Sequence, residues 1–356
     1  MKTITSLLIL LCVLITVSEA QELSKVLIKG RIIDNDTRKP IFNANVFLAN
    51  TTIGTYTDEK GEFLIKNIPL GNYNIVFSFL GYETQVENIW ANEFKTFNIN
   101  IELKPKAIVL SEINVTAEFP DSWREKLKVF TREFLGETKN SEMTKILNPE
   151  VISFTEGSSR EFKANADSII IIENKALGYK LHVLLDTFIY NEESGVKSQS
   201  YPKFEELIPS SQEEKDMWEE NRKNCYLGSC KHFFNSLIHH KLDENNFMVF
   251  RGGSGKRIIS DLTYARGIAV PESLLVAECE SDSSLYTFNH NVFHDENSFK
   301  VIWMVRSVKA SIISFSSDFS LIDRYGNLLE TTFSKETYGY WSKQRIADLL
   351  PDPVVY

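Results

Sequence analysis

The densest group of side chains able to do chemistry lies between residues 218 and 232: Trp218, Asn221, Arg222, Tyr226, Ser229 and His232. The pattern around them predicts one helical stretch. Arg222, Tyr226 and Ser229 recur at spacings of four and three and so share a helix face. Ser229 and His232 are neighbours on the same helix, a spacing that would set a hydroxyl nucleophile beside a base. Such a pair works only with an oxyanion hole and a third group orienting the histidine, and no G-x-S-x-G elbow is present. Three readings stand side by side. The Arg, Tyr and His satisfy buried partners of the fold, the six residues form a ligand-binding face, or Tyr226, Ser229 and His232 mark an unrecognised hydrolase site.

The other candidates are weaker. None of the six histidines (His182, His232, His239, His240, His290, His294) has Glu three residues on, so the H-x-x-E pair of a zinc carboxypeptidase is missing. H-E-x-x-H is absent too. His240 has Asp243 at that spacing, in a polar surface stretch. His290 and His294, with Asp295, would share a strand face only at ~13 Å, too far for one ion, and read as loop polarity. Gly252-Gly253-Ser254-Gly255-Lys256-Arg257 fails the phosphate-loop spacing and puts Arg257 where the Mg²⁺-binding hydroxyl belongs; it reads as a turn. Asp34-Asn35-Asp36 lacks the central Gly and distal Glu of a calcium loop and reads as a solvated turn. No metal and no cofactor is expected.

Bulk properties narrow the setting. Lys2, an apolar run from Leu7 to Val17 and Ser18-Glu19-Ala20 before Gln21 make residues 1–20 a cleavable export signal. The apolar run is shorter than the ~20 residues of a membrane span, and no later stretch approaches that length. A net charge of −9, with no long basic block, argues against nucleic acid or an anionic membrane as partner. Beyond the signal lie Cys225, Cys230 and Cys279, an odd count that leaves at least one thiol outside any intramolecular disulfide. In one helix Cys225 and Cys230 would lie on different faces, so bonding them would require a helix break near Gly228. Buried thiols are the simpler expectation.

The elements that must position these residues fall into two parts. From Val26 to Leu103 short strands alternate with turn signals, as in a sandwich. Val26–Asp34 sets Val26, Ile28, Gly30 and Ile32 on one face. Asp58-Glu59-Lys60-Gly61 turns into the strand Glu62–Lys66, Asn72–Phe79 puts Tyr73, Ile75, Phe77 and Phe79 to one side, and Thr96–Leu103 closes the set. About seven strands fit in fewer than 80 residues. The residues Gly30-Arg31-Ile32-Ile33-Asp34, Pro40-Ile41-Phe42-Asn43-Ala44-Asn45-Val46-Phe47-Leu48, Thr57-Asp58-Glu59-Lys60-Gly61-Glu62-Phe63 and Pro69-Leu70-Gly71-Asn72-Tyr73 resemble the carboxypeptidase regulatory-like domain. That resemblance implies a transthyretin-like β-sandwich, an accessory module found on many exported bacterial proteins.

Residues 104–120 read as a linker with one strand, Ile108–Thr116. Its Leu110–Thr116 resembles the segment that succeeds the same module in outer-membrane TonB-dependent receptors, but no plug-like segment comes next here, so a receptor is not expected. A helix starts after Pro120, with Asp121 or Ser122 as N-cap, carries Trp123, Leu127, Phe130 and Phe134 as one apolar stripe, and stops at Gly136. β-like runs come next at Val151–Phe154, Ser168–Glu173 and Leu177–Tyr190. Ser210 or Ser211 opens the second helical region, behind an acidic series (Glu205, Glu206, Glu213, Glu214, Asp216) that suits a helix N-terminus. Strands return at Tyr286–Asn289, Phe299–Val305 and Ser311–Ser316. Phe319–Ile322 and Leu328–Phe333 flank a hairpin turn, Asp323–Asn327.

Segments in this second part, among them Phe134-Leu135-Gly136-Glu137-Thr138, Ile172–Tyr179, Trp218–Arg222, Tyr226–Ser229 and Ala347–Pro351, resemble an uncharacterised family of exported bacterial proteins that carry the same N-terminal module. The fold expected is mostly β: a transthyretin-like sandwich over 26–103, then a β-rich α+β domain over 121–356 with two or three helices. The function expected is non-catalytic binding of a glycan, a peptide or an envelope protein, with no nucleic acid and no transmembrane segment. The location would be periplasmic, outer-membrane-associated or secreted. The alternatives are the hydrolase above and an accessory subunit of an outer-membrane transport complex.

Overall fold

The computed structural model describes residues 26–106, 119–157, 160–251, 276–279, 282–289, 298–304, 308–315, 319–328 and 335–352. The chain is mostly β and divides into two compact units that change over near Ser111.

The N-terminal unit has seven strands, β1 (Val26–Asp34), β2 (Asn45–Leu48), β3 (Gly54–Tyr56), β4 (Glu62–Ile68), β5 (Gly71–Ser78), β6 (Gln85–Ala91) and β7 (Thr96–Leu103). They form two sheets, β4-β1-β7 and β3-β2-β5-β6. The period-two alternation seen in the sequence sets the faces. Val26, Ile28 and Ile32 of β1 meet Phe63 and Ile65 of β4, Ile75 and Phe77 of β5 and Ile101 and Leu103 of β7 in one core. The first and last strands pair in parallel, Leu27 opposite Thr96 through Asp34 opposite Leu103.

The Asp34 turn differs from the solvated one expected. Asp34 is buried and caps the end of β1: its carboxylate accepts the backbone N–H groups of Thr37 at 2.7 Å and Asp36 at 2.9 Å, and the Tyr82 hydroxyl at 2.5 Å. The Thr37 N–H first, then the Tyr82 hydroxyl, hold its carboxyl down at about 2. The turn thus works as a latch between the end of β1 and the segment before β6.

The C-terminal unit opens with α1 (Asp121–Leu135). Its N-cap is Pro120, not Asp121 or Ser122: proline's fixed φ suits a helix entrance, and Asp121 lies in the first turn, where its charge meets the helix dipole. Phe130 and Phe134 are buried and Gly136 ends the helix, as the stripe predicted. They pack on a six-stranded sheet made of β8 (Thr144–Ile146), β9 (Ile152–Glu156), β10 (Glu161–Ala166), β11 (Ile170–Asn174), β12 (Tyr179–Asn191) and β13 (Gly195–Glu206).

β12 organises that sheet. β13 pairs along its whole length, Tyr179 opposite Glu206 to Asn191 opposite Gly195, while β11 takes the first half of its other edge and β10 the last residues. The inward residues Leu181, Val183, Leu185 and Phe188 change parity across the bulge between Leu185 and Thr187. On the opposite face Lys145, Glu173, Lys180 and Glu205 stand in one cross-strand row of alternating charge.

The second helical region is two helices, α2 (Gln212–Tyr226) and α3 (Cys230–Ile238), not one. Then come β14 (Phe247–Arg251), β15 (Val276–Cys279), β16 (Asp282–Asn289), β17 (Ser298–Met304), β18 (Val308–Phe315), β19 (Phe319–Asp323), β20 (Lys335–Gly339) and the short α4 (Tyr340–Lys343). The order β14-β17-β18-β20 forms one sheet and β15-β16-β19 another. Phe233, Phe234 and Leu237 of α3 pack with Phe247, Val301, Trp303, Ile313 and Trp341 in a second core. Ile322 and Leu328 bridge across the expected Asp323–Asn327 turn. The expected strand Ile108–Thr116 and the expected export signal over residues 1–20 lie outside the described residues.

Candidate functional site

α2 begins where the sequence placed it. Ser211 is the N-cap, its hydroxyl accepting the Glu214 N–H, and Glu213 and Glu214 occupy the first turn. One face of the helix then presents Trp218, Asn221 and Arg222 at spacings of three and four. Each donates to the next carbonyl of one tight turn: Trp218 Nε1 to Lys175 O at 2.8 Å, Asn221 Nδ2 to Ala176 O at 2.9 Å, Arg222 Nε to Leu177 O at 2.8 Å. The same turn is held from inside by Asn174, whose Oδ1 accepts the N–H groups of Ala176 and Leu177 and whose Nδ2 donates to Ala347 O at 2.9 Å. Gly178, at φ +70°, lies under the indole of Trp218, where a Cβ would stand 2.3 Å from the ring. The Arg222 guanidinium sits 4.1 Å above the Tyr179 ring and 3.5 Å from the Glu206 carboxylate. α2 thus supplies donors to three successive carbonyls of the turn between β11 and β12.

The second half of the candidate set surrounds the break between α2 and α3. Gly228 takes φ +78° and donates its N–H to His232 Nδ1 at 3.0 Å. Its carbonyl accepts Trp341 Nε1 at 2.8 Å, and the Leu227 carbonyl accepts Lys309 Nζ at 3.0 Å. The bend leaves Ser229 as the N-cap of α3, its hydroxyl accepting the His232 N–H at 3.1 Å. The His232 ring lies 4.9 Å from the rings of Tyr226 and Phe247. Burial, then the nearby Lys309 charge, lowers its pKa to about 4, so it is neutral, and because Nδ1 accepts, its proton is on Nε2. Burial also pushes the Tyr226 phenol up to about 12.

Ser229 and His232 are therefore close but wrongly engaged for nucleophilic catalysis: the serine hydroxyl accepts the histidine's backbone N–H, and the ring's Nδ1 accepts the Gly228 N–H where a catalytic base would accept the serine's proton. Ser229→Ala should cost about 1 kcal/mol, the worth of an N-cap, in urea unfolding of the full chain. A loss near zero would remove the capping role.

The break near Gly228 that a Cys225–Cys230 bond would need is present, yet both residues are thiols. Cys225 packs in the core under α1, whereas Cys230 packs against the α3 core, so the bend sends them apart. Cys225 belongs to a polar group that no local spacing revealed. Asn140 Nδ2 donates to Asp348 Oδ1 at 2.7 Å and to Cys225 Sγ at 2.9 Å, and Thr138 Oγ1 donates to Asp348 Oδ1 at 2.9 Å. These partners lie up to 210 residues apart. The one sequence signal was that Thr138, the Tyr226 segment and Asp348 all fall in segments of the resembled family. His290, His294, Asp295 and the Gly252–Arg257 turn lie outside the described residues. Among the described residues no three His, Cys, Asp or Glu side chains are grouped to hold a metal ion, and no helix is long and apolar enough to cross a membrane.

Residues 28–115 match the family model of the CarboxypepD_reg-like domain, so the N-terminal module is a domain of that type. No curated protein matches the chain. Among solved structures, a chain of a type II cohesin–X–dockerin complex from Acetivibrio cellulolyticus is 24% identical over 21% of this chain and 52% of that one, with a TM-score of 0.18. The major pilin subunit of Bacillus cereus is 19% identical over 23% of this chain and 31% of that one, with a TM-score of 0.20. The chain thus spans about half of the first and under a third of the second, and TM-scores this low carry no argument about function.

Proposed function

We propose that this is an exported protein that works by binding, with a glycan, a peptide or another envelope protein as its partner. The observation that carries this reading is the use to which the richest polar set is put. Trp218, Asn221 and Arg222 are spent on three backbone carbonyls, Ser229 on a helix cap and His232 on the Gly228 N–H. A hydrolase centred on Ser229 and His232 would need the imidazole aimed at the hydroxyl, and here it is aimed at the backbone. The export signal over residues 1–20 and the accessory nature of the N-terminal domain support placement in the envelope.

Thermal melts of the chain without residues 1–20, against a panel of glycans, peptides and divalent metals, test the reading. A ligand that binds only the native state raises the midpoint by mass action, so a saturable upward shift with a glycan or peptide is expected. Turnover of any panel compound with an unchanged midpoint would replace binding by catalysis.

A further inference from the structure

Lys231 is the second residue of α3, a helix with no acidic residue in its first turn. A cation there faces the positive end of the helix dipole. Its Nζ is sealed from solvent and makes no hydrogen bond among the described residues. Instead the nitrogen abuts Oδ1 of Asp352, which lies beyond the 3₁₀ turn Ile346–Asp348, and the two side chains are 22% and 18% exposed. The position is fixed from both sides. Phe233, Phe234 and Leu237 anchor α3 in its core. Asp323, at the end of β19, is buried and accepts the Tyr325 N–H at 2.8 Å, the Asn327 N–H at 2.9 Å and Asn327 Nδ2 at 3.1 Å. Those bonds occupy the Asp323 oxygens, so it acts on the lysine through its charge.

Two charges held together away from water lose more hydration than their attraction readily repays. Passing one proton from the ammonium to the carboxylate removes both charges and leaves an amine against a carboxylic acid. Burial favours the neutral amine, lowering the Lys231 pKa to about 8 against the pull of the Asp323 charge. A neutral amine is the nucleophilic form of lysine. The fold holds amine and carboxyl in contact, which replaces a bimolecular encounter, and it keeps water off the nitrogen. Asp352 is followed in the sequence by Pro353. Proline has no N–H, so this carboxyl has no next backbone N–H on which to close.

We propose that Lys231 and Asp352 form an intramolecular amide that ties α3 to the segment beyond the Ile346–Asp348 turn. Lys231 Nζ attacks Asp352 Cγ, the N–C bond forms and one C–O bond breaks. Two of the three ammonium hydrogens leave with that oxygen as water. Nothing is oxidised or reduced, the two opposite charges vanish together, and no metal, nucleotide or oxidant is consumed.

Mass spectrometry of the full chain, denatured, reads the bond directly. The mass should lie one water below that of the sequence. Trypsin cuts after a free lysine side chain, so cleavage after Lys231 should fail. The digest should then hold residues 224–241 as one piece, joined to the peptide that begins at Ile346. K231R keeps the positive charge but replaces the amine by a guanidinium that stays protonated. It should return the full mass and release the Ile346 peptide by itself. An unaltered chain of full mass, cut after Lys231, would leave a plain ion pair and overturn the proposal. A deficit of one water that persists in K231R, or that maps to any other pair of residues, would overturn it as well. The peptide map of the unaltered chain decides the matter even if K231R fails to fold.

Discussion

Trp218→Ala should destabilise the protein by about 4 kcal/mol, within the usual range for removing a buried Trp from a core. The indole is 4% exposed, covers Gly178 and donates to the Lys175 carbonyl. Truncation removes the ring's contacts and the indole's bond to that carbonyl. Trp218→Phe separates the two effects: it restores most of the apolar volume but not the donor, so about 1.5 kcal/mol of loss should remain. Urea unfolding measures both. This pair of variants also decides between the readings of the α2 face. If Trp218 were chiefly a ligand contact, Trp218→Ala would abolish a ligand-induced shift while leaving the unliganded midpoint in place. The geometry predicts the reverse order of effects, a large loss of stability whether or not ligand is present.

How much of the fold is legible in the sequence depends on how local each signal is. β1 and β7 have the expected limits because two-residue alternation of apolar side chains is a local property, and a one-residue slip would turn Ile28 and Ile32 outward. Phe130 and Phe134 were legible on α1 for the same reason. β10 and β13 escaped because Glu-Phe-Lys-Ala-Asn-Ala and Gly-Val-Lys-Ser-Gln-Ser-Tyr-Pro-Lys-Phe-Glu-Glu offer few apolar residues. β13 bounds the sheet beside β12, a position where polar residues and Pro202 cost little. The Asp34 turn looked solvated because the Tyr82 hydroxyl that seals it is 48 residues away.

The candidate site was half legible. The face carrying Trp218, Asn221 and Arg222 is real, because helical spacing is local. The targets of those side chains lie more than 40 residues upstream, and nothing in the helix reveals that they are carbonyls of its own chain. The polar group around Asp348 was invisible to spacing altogether, since its members come from separate, distant segments. The second helical region failed differently. Its apolar positions run on through Phe233 and Leu237, so periodicity carries the helix straight across Leu227, Gly228 and Ser229. The bend is held from outside as well, by the Trp341 indole and the Lys309 ammonium donating to the Gly228 and Leu227 carbonyls.

That external control makes Gly228→Ala the sharpest test of the break. Two costs act together there. A left-handed φ of +78° costs an L-residue about 1 kcal/mol or more, and the added Cβ would stand 2.8 Å from the Trp303 ring, itself fixed by its bond to the Asn245 carbonyl. Overpacking of this kind adds roughly 2 kcal/mol, so a loss of about 3 kcal/mol is expected in urea unfolding. Gly195→Ala supplies the control: its φ is +83°, yet a Cβ there meets nothing within 4 Å, so only the backbone term of about 1 kcal/mol should appear. Equal losses from the two variants would mean that Trp303 yields and that packing does not hold the break. A larger loss at Gly228, by about the overpacking contribution, would show that the contact with Trp303 fixes the break there.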